Sequence, residues 1–194
     1  MMNYFIVKYT GQFGFIKPWT AVRDAEIFSQ QFLTPSIIAG IERKLFPKLL
    51  KKPFGHYKIL RHRLSYSQMV AQVEQIQPRG WNITKKVHTR KKAILDRSVL
   101  LNPVLYLVFQ NEEDANIAAK QHICLCRNED ILFPERVSEV SKEVFDKDED
   151  LFAGYELIFE QTDQSFLVGY NRFDEGRPMY GWLKVLGNPV KTVI

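Results

Sequence analysis

Strand, helix, strand, strand, helix, strand is the order of elements along most of this 194-residue sequence. That order predicts an α+β fold, a ferredoxin-like sandwich with extra strands at its C-terminal end. Three observations carry the prediction. The chain opens on a β-branched, aromatic run; a Thr-Pro pair starts an amphipathic helix; and an apolar hexapeptide is followed at once by a capped second helix. A long basic excursion interrupts the order after its first half.

Tyr4-Phe5-Ile6-Val7-Lys8-Tyr9 reads as the first strand, ended by Gly11. Gln12 to Asp24 is irregular and aromatic, with Phe13, Phe15 and Trp19 interleaved with Lys17 and Arg23. Thr34 then stands as an N-cap with Pro35 at the first helical position, and Ile37, Ile38, Ile41 and Leu45 recur at helical spacing before Pro47. Tyr57 to Leu64 reads as a strand with bases, Arg61 and Arg63 among them, on its exposed side. From Ser65 to Lys92 no firm period emerges, and Pro78-Arg79-Gly80 marks a turn inside it. Such a long, weakly patterned insertion is usually functional or disordered.

Val104 to Phe109 is the clearest buried strand, and Asn111-Glu112-Glu113-Asp114 supplies a cap and first-turn acids for a helix to about Gln121. Further strands are expected near Ser138–Phe145, Tyr155–Glu160, Ser165–Tyr170 and Trp182–Leu186, with turns at Asp148, Asp163 and Gly176. The acidic run Asp146 to Asp150 reads as an exposed loop. One domain over residues 1–194, with its insertion at about 65–97, accounts for the whole chain.

Charge is distributed very unevenly. Between Arg43 and Arg97 lie fifteen Lys or Arg and two acids, Glu74 and Asp96, a net +13. The first 42 residues balance to zero, and residues 98–194 carry −8. So dense a positive block repels itself unless a polyanion neutralises it. Its core is Lys85-Lys86-Val87-His88-Thr89-Arg90-Lys91-Lys92, with Trp81, Tyr66 and Trp19 as stacking faces. Bases beside exposed rings suit single-stranded RNA, whose phosphates are held by charge and whose bases stack.

His56, His62 and His88 lie within the block, and His88 beside Lys85 and Lys86 offers the base, acid and cation that metal-independent RNA cleavage needs. Lys86 and His88 are therefore the catalytic candidates, with binding as the first reading. No phosphate loop, dinucleotide fingerprint, nucleophile elbow or zincin motif occurs, so no cofactor is expected. Cys124 and Cys126 read as a buried, reduced pair; with His122 they crowd three ligand types into five residues without a distant second half, and His122 reads as structural. No run approaches the roughly 20 apolar residues of a membrane helix, and the N-terminus has no signal-peptide pattern, so a cytoplasmic protein is expected.

Several of these stretches together resemble a family. Gly11-x-Phe13-Gly14-Phe15-Ile16-Lys17-Pro18, then Phe32-Leu33-Thr34-Pro35-Ser36 and Gly40-Ile41, are similar to the opening of the CRISPR-associated Cas-five family. These are RAMP-type subunits of type I effector complexes (Cascade). Thr89 to Lys92 leading into Leu101–Val108, and Cys126 to Pro134, resemble later stretches of the same family, so the likeness covers about residues 3–135.

The resemblance implies a RAMP-type core with a thumb in the basic block, gripping the 5′ handle of the guide RNA (crRNA). Backbone subunits and a large subunit would pack alongside. Together with the charge block and its aromatic neighbours, it gives the expected RNA contacts: Lys17, Trp19, Arg23, Ser36, Arg61, Arg63, Trp81, Lys85, Lys86, His88, Arg90, Lys91 and Lys92. Ser36 and the Lys17 loop would converge on a phosphate at the helix start. Some members cut precursor RNA with a Tyr about four residues before the Thr-Pro-Ser and a Lys-His pair. Here Gln30 stands at the first place and Lys86-x-His88 at the second, a departure that argues against cleavage.

Overall fold

The computed structural model describes residues 3–18, 26–53, 55–76, 81–85, 87–90, 92–171 and 174–190. The fold is mixed α/β and rich in strands. In chain order the elements are β1 (Asn3–Thr10), β2 (Phe13–Gly14), β3 (Glu26–Phe28), α1 (Pro35–Leu45), a 3-10 turn (Pro47–Lys51), β4 (Ile59–Ser65), β5 (Gln68–Ile76), β6 (Trp81–Thr84) and β7 (Val87–Arg90). Then follow β8 (Ala93–Leu101), β9 (Val104–Phe109), α2 (Glu112–Ala118), β10 (Ile123–Cys124), β11 (Ile131–Pro134), β12 (Ser138–Ser141), α3 (Lys142–Lys147), β13 (Gly154–Ile158), β14 (Phe166–Asn171) and β15 (Arg177–Leu186).

The main sheet runs β10-β11-β1-β9-β4-β13-β15-β14, with β12 also on the outer side of β1. Its centre is β9, paired to β1 on one side and β4 on the other. Burial on both faces explains why Val104 to Phe109 is apolar throughout instead of alternating. Successive side chains of β1 go to opposite faces. Val7 and Tyr9 join Leu105, Leu107 and Phe109 beneath α1 and α2, and the Tyr9 hydroxyl donates to the Ala118 carbonyl at 2.8 Å. Tyr4 and Ile6 join Tyr106, Val108, Phe145 and Phe152 on the other face, beneath α3. Each large apolar side chain so buried contributes about 1.5–3 kcal/mol.

Thr34 does sit at the N-cap of α1, but its side chain makes no capping bond; its carbonyl accepts from Ile37 and Ile38 N–H. The helix is held instead by an acid on its buried face. The Glu42 carboxylate accepts the backbone N–H groups of Tyr57, Lys58 and Ile59 at 2.6–3.0 Å, which ties α1 to the start of β4. Asn111 caps α2 as expected, accepting from Asp114 N–H at 2.9 Å.

Several expectations are corrected. The strand expected over Ser138–Phe145 stops at Ser141, whose hydroxyl accepts from Val144 N–H and turns the rest into α3. Asp146 consequently lies in that helix, half-buried and bonded to Arg61 at 3.0 Å, and not in an exposed acidic loop. The last strand begins at Arg177, five residues earlier than expected. Cys124 is half-buried and Cys126 exposed, so they are not a buried pair, and His122 is likewise exposed.

The unpatterned segment is strand throughout most of its length. β5 and β8 form an unbroken antiparallel ladder of nine residue pairs, from Gln68–Leu101 to Ile76–Ala93. Beyond it β6 and β7 pair as a separate hairpin, with Lys85 in the left-handed region (φ 47°) at the turn. Because much of this ladder is open to solvent, the apolar–polar alternation that marks a half-buried strand is weak there.

Arg61 and Arg63 do not line an exposed strand face. Arg63 is fully buried: its guanidinium donates to the Phe145 and Phe152 carbonyls at 2.7 and 2.9 Å and to Glu156 at 3.2 Å, and lies 4.0 Å from the Phe145 ring centre. Arg61 bonds Glu156 and Asp146. Gly154 makes room for this, since a Cβ there would lie 2.5 Å from Arg63 Cγ. Burial raises the Asp146 carboxyl, but its bond to Arg61 and the charges of Arg61 and Lys184 hold it below the usual carboxylate range.

Glu156→Ala would leave the buried Arg63 cation without its counter-charge. It is expected to cost about 3–5 kcal/mol in urea unfolding. Asp174→Ala, which removes the exposed pair to Arg177, should cost less than about 1 kcal/mol; equal losses would show that the Glu156 cluster is not a structural centre.

Candidate nucleic-acid interface

The basic segment is divided by the fold into a neutralised root and a cationic tip. At the root, Lys58 pairs with Asp114, Arg61 and Arg63 with Glu156, and Arg97 with Glu74 at 2.5 Å. Three of these four bases take acids from the acidic C-terminal half. At the tip, Lys85, His88, Arg90 and Lys92 are all exposed.

Cross-strand register sets what the tip presents. Trp81 is opposite Arg90 and Ile83 is opposite His88, so these four side chains share one face of the β6–β7 hairpin. The Arg90 guanidinium lies 5.3 Å from the Trp81 ring centre, and the His88 ring meets that ring edge-on at 6.4 Å. Trp81 remains 55% exposed. An open indole with a guanidinium against it can stack a base while the cation meets a phosphate.

The root is latched to the body by contacts that the sequence did not suggest. Phe15, buried at 1% exposure, has two guanidinium groups over its ring, Arg97 at 5.1 Å and Arg127 at 5.4 Å from its centre. Arg127 is oriented by Asp130 at 2.7 Å, and its bond to Asp130, despite burial, raises its pKa. The Gly11–Pro18 loop is pinned as well: Ile16 N–H donates to the Ser29 hydroxyl at 2.9 Å, and Gln30 N–H to the Ile16 carbonyl at 2.8 Å. This holds Lys17 near the segment that leads into α1. Lys17 and Ser36 are both exposed, and among the described residues no bond joins them. Only the clash of a Cβ with Leu125 Cδ1, at 2.6 Å, explains Gly14 in that loop.

The remaining expected site residues scatter. Trp19, Arg23, Lys86 and Lys91 lie outside the described residues. Tyr66 is no stacking face, being buried at 5% and stacked on Tyr155. His88 is exposed, and no carboxylate or second imidazole is bonded to it among the described residues. His62 is not part of the basic surface: it is 3% exposed, with Phe159 stacked against it and His56 on the same Phe159 ring. Among the described residues no group of three or more His, Cys, Asp or Glu is placed to hold a metal, and no helix is long and apolar enough to cross a membrane.

No protein-family model matches this sequence, and no curated protein matches it either. Among solved structures, the fold is similar to a chain described as "CRISPR RNA-guided surveillance complex". The TM-score is 0.56, with 14% identity over 96% of this chain and 90% of that one. The two chains therefore share a fold along nearly their whole lengths, with little shared sequence.

Burial lowers the His62 imidazole to about 4, with Glu156 opposing and the neighbouring cations assisting. The unfolded chain takes up a proton there near pH 6.5 and the folded chain does not. Stability from this site is thus complete above pH 6.5 and falls as pH drops toward 4, by roughly 3 kcal/mol. His62→Phe should remove that share of the acid sensitivity; an unchanged difference between pH 7 and pH 4.5 would mean His62 is protonated in the folded state.

Proposed function

We propose that this protein is a guide-RNA-binding subunit of a type I CRISPR effector complex in the cytoplasm, gripping the 5′ handle of the crRNA beside backbone subunits and a large subunit. The observation that carries the reading is the Trp81–Arg90–His88 face at the end of a long ladder, on a fold shared with a surveillance-complex chain. The sequence resemblance over residues 3–135 points the same way.

The core is read as ferredoxin-like. Taking β1, β4, β9 and the β11–β12 edge as its four strands, their order across the sheet is fourth, first, third, second, with α1 and α2 on one face. The β5–β8 ladder with its β6–β7 tip is then an insertion between the second and third core strands, and it fills the place of the thumb. Lys85, Arg90 and Lys92 meet phosphates, Trp81 stacks a base, and Lys17 and Ser36 approach from the body. Lys86 and Lys91 belong to the same basic run in sequence. Arg61 and Arg63 have no such role, because their guanidinium groups are used inside the fold.

Binding of single-stranded RNA should weaken with salt at about −0.7 in log K per log salt for each phosphate contacted. Lys85→Ala, Arg90→Ala and Lys92→Ala together should flatten that slope by about 2. Trp81→Ala should cost about 1–3 kcal/mol of affinity and leave the slope unchanged. RNA affinity and slope that survive all four changes would remove the tip from the site.

A further inference from the structure

Among the described residues, the outer side of β5 is the longest strand edge that no other strand covers. Nine residues, Gln68–Ile76, pair with β8 and with nothing else. Edges of this kind are normally kept apart by Lys, Pro, bulges or shortness. The two end strands of the separate main sheet follow that rule: β14 has an irregularity between Leu167 and Gly169, and β10 is two residues long. β5 has no Pro, no Lys or Arg and no break in register.

Its side chains are unusually apolar for an exposed strand. Val73 at 69% and Ile94 at 68% are the two most exposed large hydrophobic residues among those described. Val73 is opposite Asp96 and Gln75 is opposite Ile94, so Val73 and Ile94 are diagonal neighbours on one face. Within a segment that holds fifteen bases, Gln68–Ile76 holds none, and its single charge, Glu74, is bonded to Arg97. The cations beside it, Arg97 and Arg127 (which also donates to the Gln72 side chain), are paired with Glu74 and Asp130, so the edge offers a polyanion little. It suits a polypeptide strand.

We propose that β5 pairs edge to edge with β5 of a second copy of this chain, antiparallel and centred on Val73. A two-fold antiparallel pair must centre on a residue, because outward-facing backbone groups meet only their own kind. Centred on Val73, the pairs are Val73 with Val73, Gln72 with Glu74, Ala71 with Gln75 and Val70 with Ile76. No like charges are opposed. Ile94 of each copy flanks the Val73 pair, so the most exposed apolar surface is covered. Centring on Gln72 would set Val73 against Ala71 and bring the other copy's tip closer to the body, where Val190 already bridges Tyr66. The antiparallel sense also sends the two cationic tips to opposite ends, which limits their repulsion. The inference stands on the edge itself and does not depend on what the tip binds.

Sedimentation of the purified full chain without RNA tests it. The weight-average mass should rise with concentration from 22.7 kDa toward twice that value. Val73→Lys places two cations face to face across the two-fold and should hold the chain at the monomer mass. Val73→Thr, which keeps a β-branched residue, should still associate, as should Val185→Lys at an exposed position on β15. Circular dichroism confirms that each variant is folded. A wild type that stays monomeric at the highest soluble concentration overturns the proposal, as does a Val73→Lys chain that dimerises like the wild type.

Discussion

Glu156 is the point on which the halves of this molecule depend. It lies on β13, directly opposite Arg63 of β4, with Arg61 two residues along the same face. The carboxylate is 1% exposed and Arg63 wholly buried. Two cations of the basic segment thus meet an acid of the C-terminal half inside the fold. A buried charge without a partner is strongly unfavourable, so β4 and β13 cannot separate without exposing or stranding all three groups. Phe145 covers the cluster and Gly154 leaves space for the Arg63 stem. The opposed signs of the two sequence halves are therefore partly a device of internal cohesion.

That cohesion changes what the basic segment can offer to a polyanion. Bases near its N-terminal strand and at the ladder's root are paired internally: Lys58, Arg61, Arg63 and Arg97. Bases beyond the ladder, Lys85, Arg90 and Lys92, stand in solvent, 20 to 27 residues along the chain from the end of β4 but brought to one end of a single stalk. Phe15, in contact with Arg97 of β8 and with Arg127, joins that stalk to the body, and the same loop carries Lys17. The nine-pair ladder carries the charged, aromatic hairpin beyond its far end.

Much of the core was legible because its periodicities are strong. A strand buried on both faces needs six apolar residues in a row, and Val104 to Phe109 shows them. Thr34-Pro35 can begin a helix almost nowhere but at its first turn, and Asn111 before three acids carries its own cap. Local chemistry of this kind is written within a few residues. The β5–β8 ladder was not legible, because strands largely open to solvent have little to distinguish one face from the other. α3 was read as strand because Ser-Lys-Glu-Val-Phe suits either state, and a single hydroxyl cap at Ser141 decides between them.

The linear order of residues thus settled the α+β character, the capped helices, the central strand and the polarity of charge along the chain, since each rests on neighbours in sequence. It could not say which charges remain outside. Arg63 and Arg90 are chemically alike and both lie in the same basic block. One is buried because Glu156, 93 residues away, arrives beside it through β13, and the other is exposed because its strand turns back at Lys85 beyond the core. Burial and pairing depend on contacts between distant strands, and only the folded arrangement brings those into being.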